Sequence, residues 1–532
     1  MRDVETSPKQ KKKLGGIRST LFIYVAMVFE NIAFVGNAVS IFTYFYGYMN
    51  FSLTKSATML TNYVGTSYIL SLFGGFICDT YLSRYRSSIL FGSIEVLGYA
   101  VLTVQAFVKE LRPSPCKDVS PLLSYQCESA DSGQVAFLYI GLYLVAIGAG
   151  GLKSAAPPLG ADQFDEEDPE EAESLSVYFN WLLFSIVIGS IFGVTFLVWI
   201  NTFQGWNWGF LVSTLAVLAA VLCLGSGKSF YRQQVPRGSP ITHKCCRFFD
   251  RAAIIRTTDS PDSDSKGPWR TCTVTQVEET KILVRMFPII ISTIFMNTCL
   301  AQLQTFSIQQ SNTMDRQFLG FEVPGPSVTV IPFIFMIILI PIYDRICVPA
   351  LRKLTGIPTG IRHLQRVGVG LVLSIASMSV SAYVEKRRKS VAIDNNLVDS
   401  PAPLPISFLW LGFQFAIFGM ADMFTLVGLL EFFYAESSKG MKSLGTAITW
   451  CTVAFGYYLS SVVVNVVNNV SDGWLASNNL NRDELSKFFW LLAGLSVLNL
   501  GAYLICASWY KYKSVEMKQI EGDQSNVEMG TV

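Results

Sequence analysis

The sequence predicts an all-α membrane protein of twelve transmembrane helices in two six-helix bundles, with both termini cytoplasmic. Three observations predict it. Of 532 residues, 51% are hydrophobic and only 15% are charged, against roughly a quarter charged in soluble domains. The charges crowd into the termini, a few short loops and the stretch from about Arg232 to Glu279. Between them recur apolar runs long enough for the ~20 residues that cross a hydrocarbon core.

Taken in order, the runs place spans near 19–46, 56–79, 87–108, 134–158, 175–200 and 207–226, then 281–306, 326–349, 364–384, 405–432, 441–468 and 487–510. The first, from Ser19 to Phe45, is too long for the core of a signal peptide and no small-residue cleavage site follows it, so it is expected to persist as span one. Six spans, a long polar connection and six more define the expected parts: a tail over 1–18, a bundle over 19–227, a linker over 228–280, a second bundle over 281–515 and a tail over 516–532. The linker is rich in Arg, Ser, Asp, Thr and Pro and is expected to hold no third domain.

Lysine and arginine set the orientation. The amino-terminal tail, Arg84 and Arg86 after span two, Arg247, Arg251, Arg256 and Lys266 in the linker, and Arg352, Lys353 and Arg362 after span eight share one side if both termini are inside. Lys386-Arg387-Arg388-Lys389 and the acidic loop from Asp162 to Glu173 run against that pattern. Asn50-Phe-Ser52 and Asn469-Val-Ser471 are glycosylation sequons on the expected outer face.

The net charge of +2 says nothing about nucleic acid, and the sequence offers no basic-aromatic surface for it. The eleven cysteines form no CxxC pair and no metal-ligand spacing with His243 and His363, so neither a metal nor another cofactor is implied. Adjacent Cys245 and Cys246 suit palmitoylation better than zinc. Cys116 and Cys127 share one polar loop and are the candidate disulfide if that loop lies outside.

An ionisable group inside a span costs about 3 kcal/mol on insertion scales, so each asks for a reason. Glu30 lies midway along span one, Lys153 near the end of span four and Glu431 near the end of span ten; Glu95 and Asp422 are further candidates. The plain alternatives are snorkelling to an interface or a structural pair. A buried lysine and glutamate in separate halves can both stay charged if they meet, and a proton or an anion that competes for either then works a latch.

Gly148, Gly150 and Gly151 ahead of Lys153, and Gly74-Gly75 in span two, permit close helix approach. More specific is the turn from Gly74 to Arg84, where Asp79 and Arg84 can pair in one state and part in another. Asp344-Arg345 stands at the equivalent place after span eight, an internal echo of two related halves.

Gly74 to Arg84, Gly148-Ala-Gly-Gly-Leu-Lys153, Gly160-Ala-Asp-Gln-Phe-Asp165, Tyr178-Phe-Asn180 with Gly189-Ser190, Leu364-Gln-Arg-Val-Gly368 and Glu431-Phe-Phe-Tyr434 together resemble the proton-dependent oligopeptide transporter family of the major facilitator superfamily, in particular its plant nitrate/peptide/phytohormone branch. The resemblance covers nearly all of the chain outside the tails and linker. It implies the major facilitator fold, proton-coupled alternating access, a cavity at mid-membrane and an inter-bundle salt bridge between Lys153 and Glu431. Two departures stand out. The family's first-span motif, Glu-x-x-Glu followed by Arg or Lys, reads Met27-Val-Phe-Glu30-Asn31 here, leaving coupling to Glu30 and Glu431 and disfavouring peptides. In span seven, Leu300 of Thr298-Cys-Leu-Ala-Gln302 stands where a nitrate-binding relative has histidine.

Phe73-Gly-Gly-Phe, Leu364-Gln-Arg and Tyr457-Tyr-Leu-Ser-Ser461 are similar to the subgroup associated with abscisic acid, gibberellin and nitrate. A carboxylated hormone suits an apolar cavity with one cation. Lys153 would meet the carboxylate, with Glu431, Gln302, Tyr63, Trp181 and Phe306 as further lining candidates; plain helix packing is the competing reading of the three aromatics. The expected partners are thus a small anionic substrate, protons and the lipid bilayer, for a monomer or loose dimer in the plasma membrane, with the vacuolar membrane as the alternative. Two other functions stay open: a nutrient or hormone sensor that transports little, which the broken first-span motif favours, and a nitrate-only transporter. No span shows a nucleophile–base pair, a metal cluster or a phosphate loop, which argues against an enzyme.

Overall fold

The computed structural model describes residues 15–51, 53–114, 130–165, 169–232, 274–318, 321–323, 325–356, 360–400, 402–437, 442–471, 473–475 and 480–510. The Cys116–Cys127 pair, the cysteines at 245 and 246 and most of the linker and tails lie outside the described residues.

Twelve long helices account for nearly all of the described chain. In the first half they are α1 Ile17–Gly47, α2 Leu53–Thr80, α3 Arg84–Phe107, α4 Ser132–Ala161, α5 Pro169–Phe192 and α6 Trp206–Ser226. In the second they are α7 Val274–Thr313, α8 Ser327–Thr355, α9 His363–Asp394, α10 Leu411–Glu436, α11 Lys442–Val470 and α12 Leu485–Trp509. Eleven of them are long and apolar enough on composition alone to span a bilayer; α2, the other, has the length and packs inside the same bundle. Starts are set by local chemistry. The Ser83 side chain caps α3 by accepting from Arg86 N, and Asp131 and Gln134 form a reciprocal capping box on α4. Short strands, Met314–Asp315 with Leu404–Ser407 and Gln317–Phe318 with Phe321–Glu322, tie loops at one end.

The packing has an internal two-fold. In the first half α3 packs on α4 and α6, α2 on α4, and α1 on α5 and α6. Adding six to each label gives the second half: α9 on α10 and α12, α8 on α10, and α7 on α11 and α12. The contacts between halves obey the same rule, α2 with α11 matching α8 with α5, and α4 with α11 matching α10 with α5. The irregular turns do not follow the rule: π-turns at Gly193–Leu197 and Ile200–Gln204 extend α5, and one at Tyr343–Cys347 lies inside α8.

Both described termini lie at one end of the molecule, called here the terminus end. Gly15 and Gly16 N–H groups bond to Phe230 and Gln163, and the Tyr510 hydroxyl bonds to Glu436. The other end is called distal.

One stretch differs from its sequence reading. Lys386 to Lys389, expected as a basic loop beyond span nine, is helical, because α9 continues to Asp394. Arg388 is fully buried, bonded twice to Glu385 at 2.7 and 2.8 Å and also to Thr313 and Asn481. Lys389 reaches Glu484 at 3.0 Å. These cations are committed to structure, which explains why they run against the charge bias of free loop lysines and arginines.

Candidate functional site

Three glycines bring α4 into the centre of the first bundle. A Cβ at Gly150 would fall 2.5 Å from the Ser67 carbonyl of α2, and Gly148 and Gly151 lie against Glu95 and Phe91 of α3. Tight packing therefore accounts for this motif, and it fixes the next turn, which carries Lys153. Pro157 and Pro158 then withhold the N–H groups that would bond the carbonyls of Lys153 and Ser154, loosening the helix just beyond.

Lys153 points at α1. Its Nζ ion-pairs with Glu30 Oε1 and stands 3.9 Å from the centre of the Phe34 ring, with both charged side chains buried. Glu30 Oε2 and both carboxylate oxygens of Glu95 are buried without a hydrogen-bond partner.

Glu431 has other partners. In place of the inter-bundle Lys153–Glu431 bridge that the resemblance implies, Glu431 meets Arg366 Nη1 at 3.4 Å and His363 Nδ1 at 3.2 Å, both from α9. The physical reason is depth: Glu431 sits five residues from the terminus end of α10, whereas Lys153 is committed across its own bundle to α1. Arg366 links onward. Its Nη2 donates to Asn180 of α5 at 2.8 Å, Asn180 Nδ2 donates to Asp344 of α8 at 2.9 Å, and the guanidinium lies 4.7 Å from the Tyr343 ring.

The turn residues also reach across the halves. Asp79 pairs with Arg84 at 3.5 Å and accepts from the Ser443 and Leu444 N–H groups at 3.4 and 2.9 Å, a carboxylate on the first turn of α11. Arg84 also pairs with Asp162 and donates to Ser443 Oγ at 3.0 Å, while the Tyr434 hydroxyl of α10 donates to Asp162 at 3.2 Å. Arg345 lies 6.0 Å from the Trp181 ring of α5. These polar links concentrate at the terminus end, so the structure is closed there.

Above that closure the halves meet through aromatic rings. Tyr68 of α2 stacks on Trp450 of α11 at 5.7 Å and meets Phe34 of α1 at 5.9 Å. The Tyr457 hydroxyl donates to Gln304 at 2.5 Å. The other aromatic candidates lie elsewhere. Phe306 packs on Phe488 and Phe489 of α12 inside the second bundle, and Gln302 donates to Ser460 at 2.7 and 2.8 Å within that bundle. Tyr63 packs against Phe34 and lines a cavity between α2 and α4, and Trp181 sits at the α5–α8 seam. Sequence reading quoted Arg366 and Asn180 only as parts of motifs. The signal for Arg366 was present, an ionisable side chain within an apolar span, the same criterion that singled out Lys153.

Two pseudo-symmetric six-helix bundles that enclose buried charges and are joined at one end by polar links have the architecture of a membrane transporter. The sequence profile of the POT family (PTR2) matches residues 85–480. Two Arabidopsis thaliana relatives, protein NRT1/PTR family 4.5 and protein NRT1/PTR family 4.6, are 41% and 39% identical to this chain, over 94% of both chains and 95% of both chains respectively. The fold matches the crystal structure of an auto-inhibited POT family peptide transporter with a TM-score of 0.64 at 18% identity, covering 93% of this chain and 97% of that one. The chain belongs to the POT family of membrane transporters, which are not enzymes.

Proposed function

We propose that the protein imports a small organic anion by proton-coupled alternating access, with both termini in the cytoplasm of a plasma-membrane orientation. Carboxylated hormones of the abscisic acid or gibberellin type lead the candidates, with nitrate beside them. The bundles over 19–227 and 281–515 are the rocking units and 228–280 their linker. The observation that carries this reading is the buried Lys153–Glu30 pair, whose ammonium lies against Phe34, the ring that also meets Tyr68 where Tyr68 stacks on Trp450 of the second bundle. An anion entering between the bundles competes with Glu30 for Lys153, and the released carboxylate then takes up a proton. Coupling fits the energetics, since one charge crossing 100 mV changes by about 2.3 kcal/mol and a negative interior opposes anion entry. Glu431, paired with Arg366, couples protonation to the contact with Asn180 across the bundles.

The test is uptake of labelled abscisic acid, gibberellin and nitrate into oocytes at outside pH about one unit below and above the ~6.5 of histidine, with uninjected cells as baseline. Saturable, acid-stimulated uptake of one substrate, lost in Glu30→Gln and Lys153→Ala at equal surface expression, is the expected result. Wild type at the surface with no uptake above baseline overturns it. The buried Met27, at the place of the family's first glutamate, favours a second reading, a sensor that binds the anion and transports little; binding without uptake would establish that one.

A further inference from the structure

Glu95 is completely buried on α3, and neither carboxylate oxygen has a hydrogen-bond partner. It is held against Gly148 of α4, where an added Cβ would fall 2.5 Å from its own. The groups that act on it are Glu30 of α1, Lys153 of α4, Tyr63 of α2 and, on α3 itself, Tyr99. The cluster thus holds one ammonium and two carboxylates, and the ammonium is committed to Glu30. A stranded, ionised carboxylate among apolar groups is among the costliest arrangements a fold can hold, and a bound proton removes the charge.

A cavity of about 270 Å³ opens between the distal halves of α2 and α4, lined by Met59, Asn62, Tyr63, Tyr139, Leu142 and Tyr143. Tyr63 belongs both to this wall and to the surroundings of Glu95. We propose that Glu95 is a second proton-binding carboxylate of the Glu30–Lys153 site, filled from the α2–α4 cavity past Tyr63. The proposal rests on the proton-coupled reading above and supplies its missing part, since Met27 leaves α1 with a single carboxylate where the family motif has two.

The charges balance in each state. Empty, the site holds protonated Lys153, ionised Glu30 and neutral Glu95, with no net charge. When a monovalent anion draws Lys153 away, the Glu95 proton passes to Glu30 and a proton from the cavity refills Glu95. The loaded site then holds one ammonium, one anion and two neutral carboxyls, again with no net charge, and one proton has entered with the anion.

The full-length protein in proteoliposomes tests this, with nitrate and labelled abscisic acid as probes. Wild type is first assayed for anion exchange without a pH gradient and then for accumulation driven by acid outside. In Glu95→Gln, acid-driven accumulation is expected to fall tenfold or more and its pH profile to flatten, while Glu95→Asp restores acid stimulation, which a purely steric role would not require. The infrared difference between empty wild type and empty Glu95→Gln is expected to carry a wild-type carboxylic-acid C=O band, since Glu95 is neutral before the anion binds. Wild type that exchanges anions without acid stimulation overturns the proton-coupled reading and this inference together. A Glu95→Gln protein with the wild-type pH profile, or a difference spectrum without that band, overturns this inference alone.

Discussion

Arg388 and Lys153 are both cations buried in a helix bundle, and their carboxylates are held in opposite ways. Glu385 is saturated: Arg388 fills both oxygens and Gln310 adds a third bond at 2.7 Å. Glu30 has one oxygen paired and one idle, and its neighbour Glu95 has both idle. A saturated pair is structural, whereas an unsaturated one can accept a proton or give up its partner. Arg388→Ala is therefore expected to cost about 3–5 kcal/mol by stranding Glu385, read as a lowered unfolding temperature in detergent. The double variant Glu385→Leu with Arg388→Met should recover most of that loss, since apolar replacement of a whole buried pair is often near neutral. Sequence marked Lys153 and Glu30 as costly ions in apolar spans, but it could not assign partners. That choice is made by helix packing: α4 faces Lys153 toward α1, and α9 delivers Arg366 to Glu431 first.

At the scale of helices, hydropathy made the number and order of spans legible, because apolar length is written locally and the bilayer demands it. Ends were less legible. Span nine looked complete near residue 384, yet α9 runs on to Asp394, because Arg388 and Lys389 find partners on other elements that no local pattern announces. The two-fold pairing of helices was visible only as the faint echo of Asp79–Arg84 in Asp344–Arg345. The glycines of α4 now carry a specific expectation. Gly150→Val drives its side chain into the Ser67 carbonyl and the Ser71 backbone of α2, atoms that cannot rotate away. Overpacking of this kind costs upward of about 1–3 kcal/mol. Size-exclusion profiles should show loss of monodisperse protein, whereas Gly494→Val on α12, where an added Cβ meets nothing within 4 Å, should leave the profile unchanged.

For the molecule as a whole, the state is set by polar links that close the terminus end. Asp79 on the first turn of α11, Tyr434 on Asp162, and Arg366 on Asn180 each join one bundle to the other, and none is covalent or deeply apolar. Each hydrogen bond with a charged partner contributes about 1.5–3 kcal/mol, so removing one should shift the equilibrium between the two end-open states by roughly 10- to 100-fold, enough to populate the alternative without unfolding either bundle. Tyr434→Phe deletes one link and leaves the ring packed on Phe179. Spin labels at exposed Tyr81, beside the α2–α3 turn, and at exposed Leu354, near the terminus end of α8, report the gap between bundles there. The expected result is a single short distance in the otherwise unaltered protein and a second, longer population in Tyr434→Phe. Asp79→Asn should add to that longer population, because the neutral amide can no longer offer a charge to the α11 terminus. Unchanged distance distributions in both variants would mean that aromatic packing at Tyr68 and Trp450, not the polar links, holds the bundles closed, and Tyr68→Ala would then have to produce the opening that the polar variants did not.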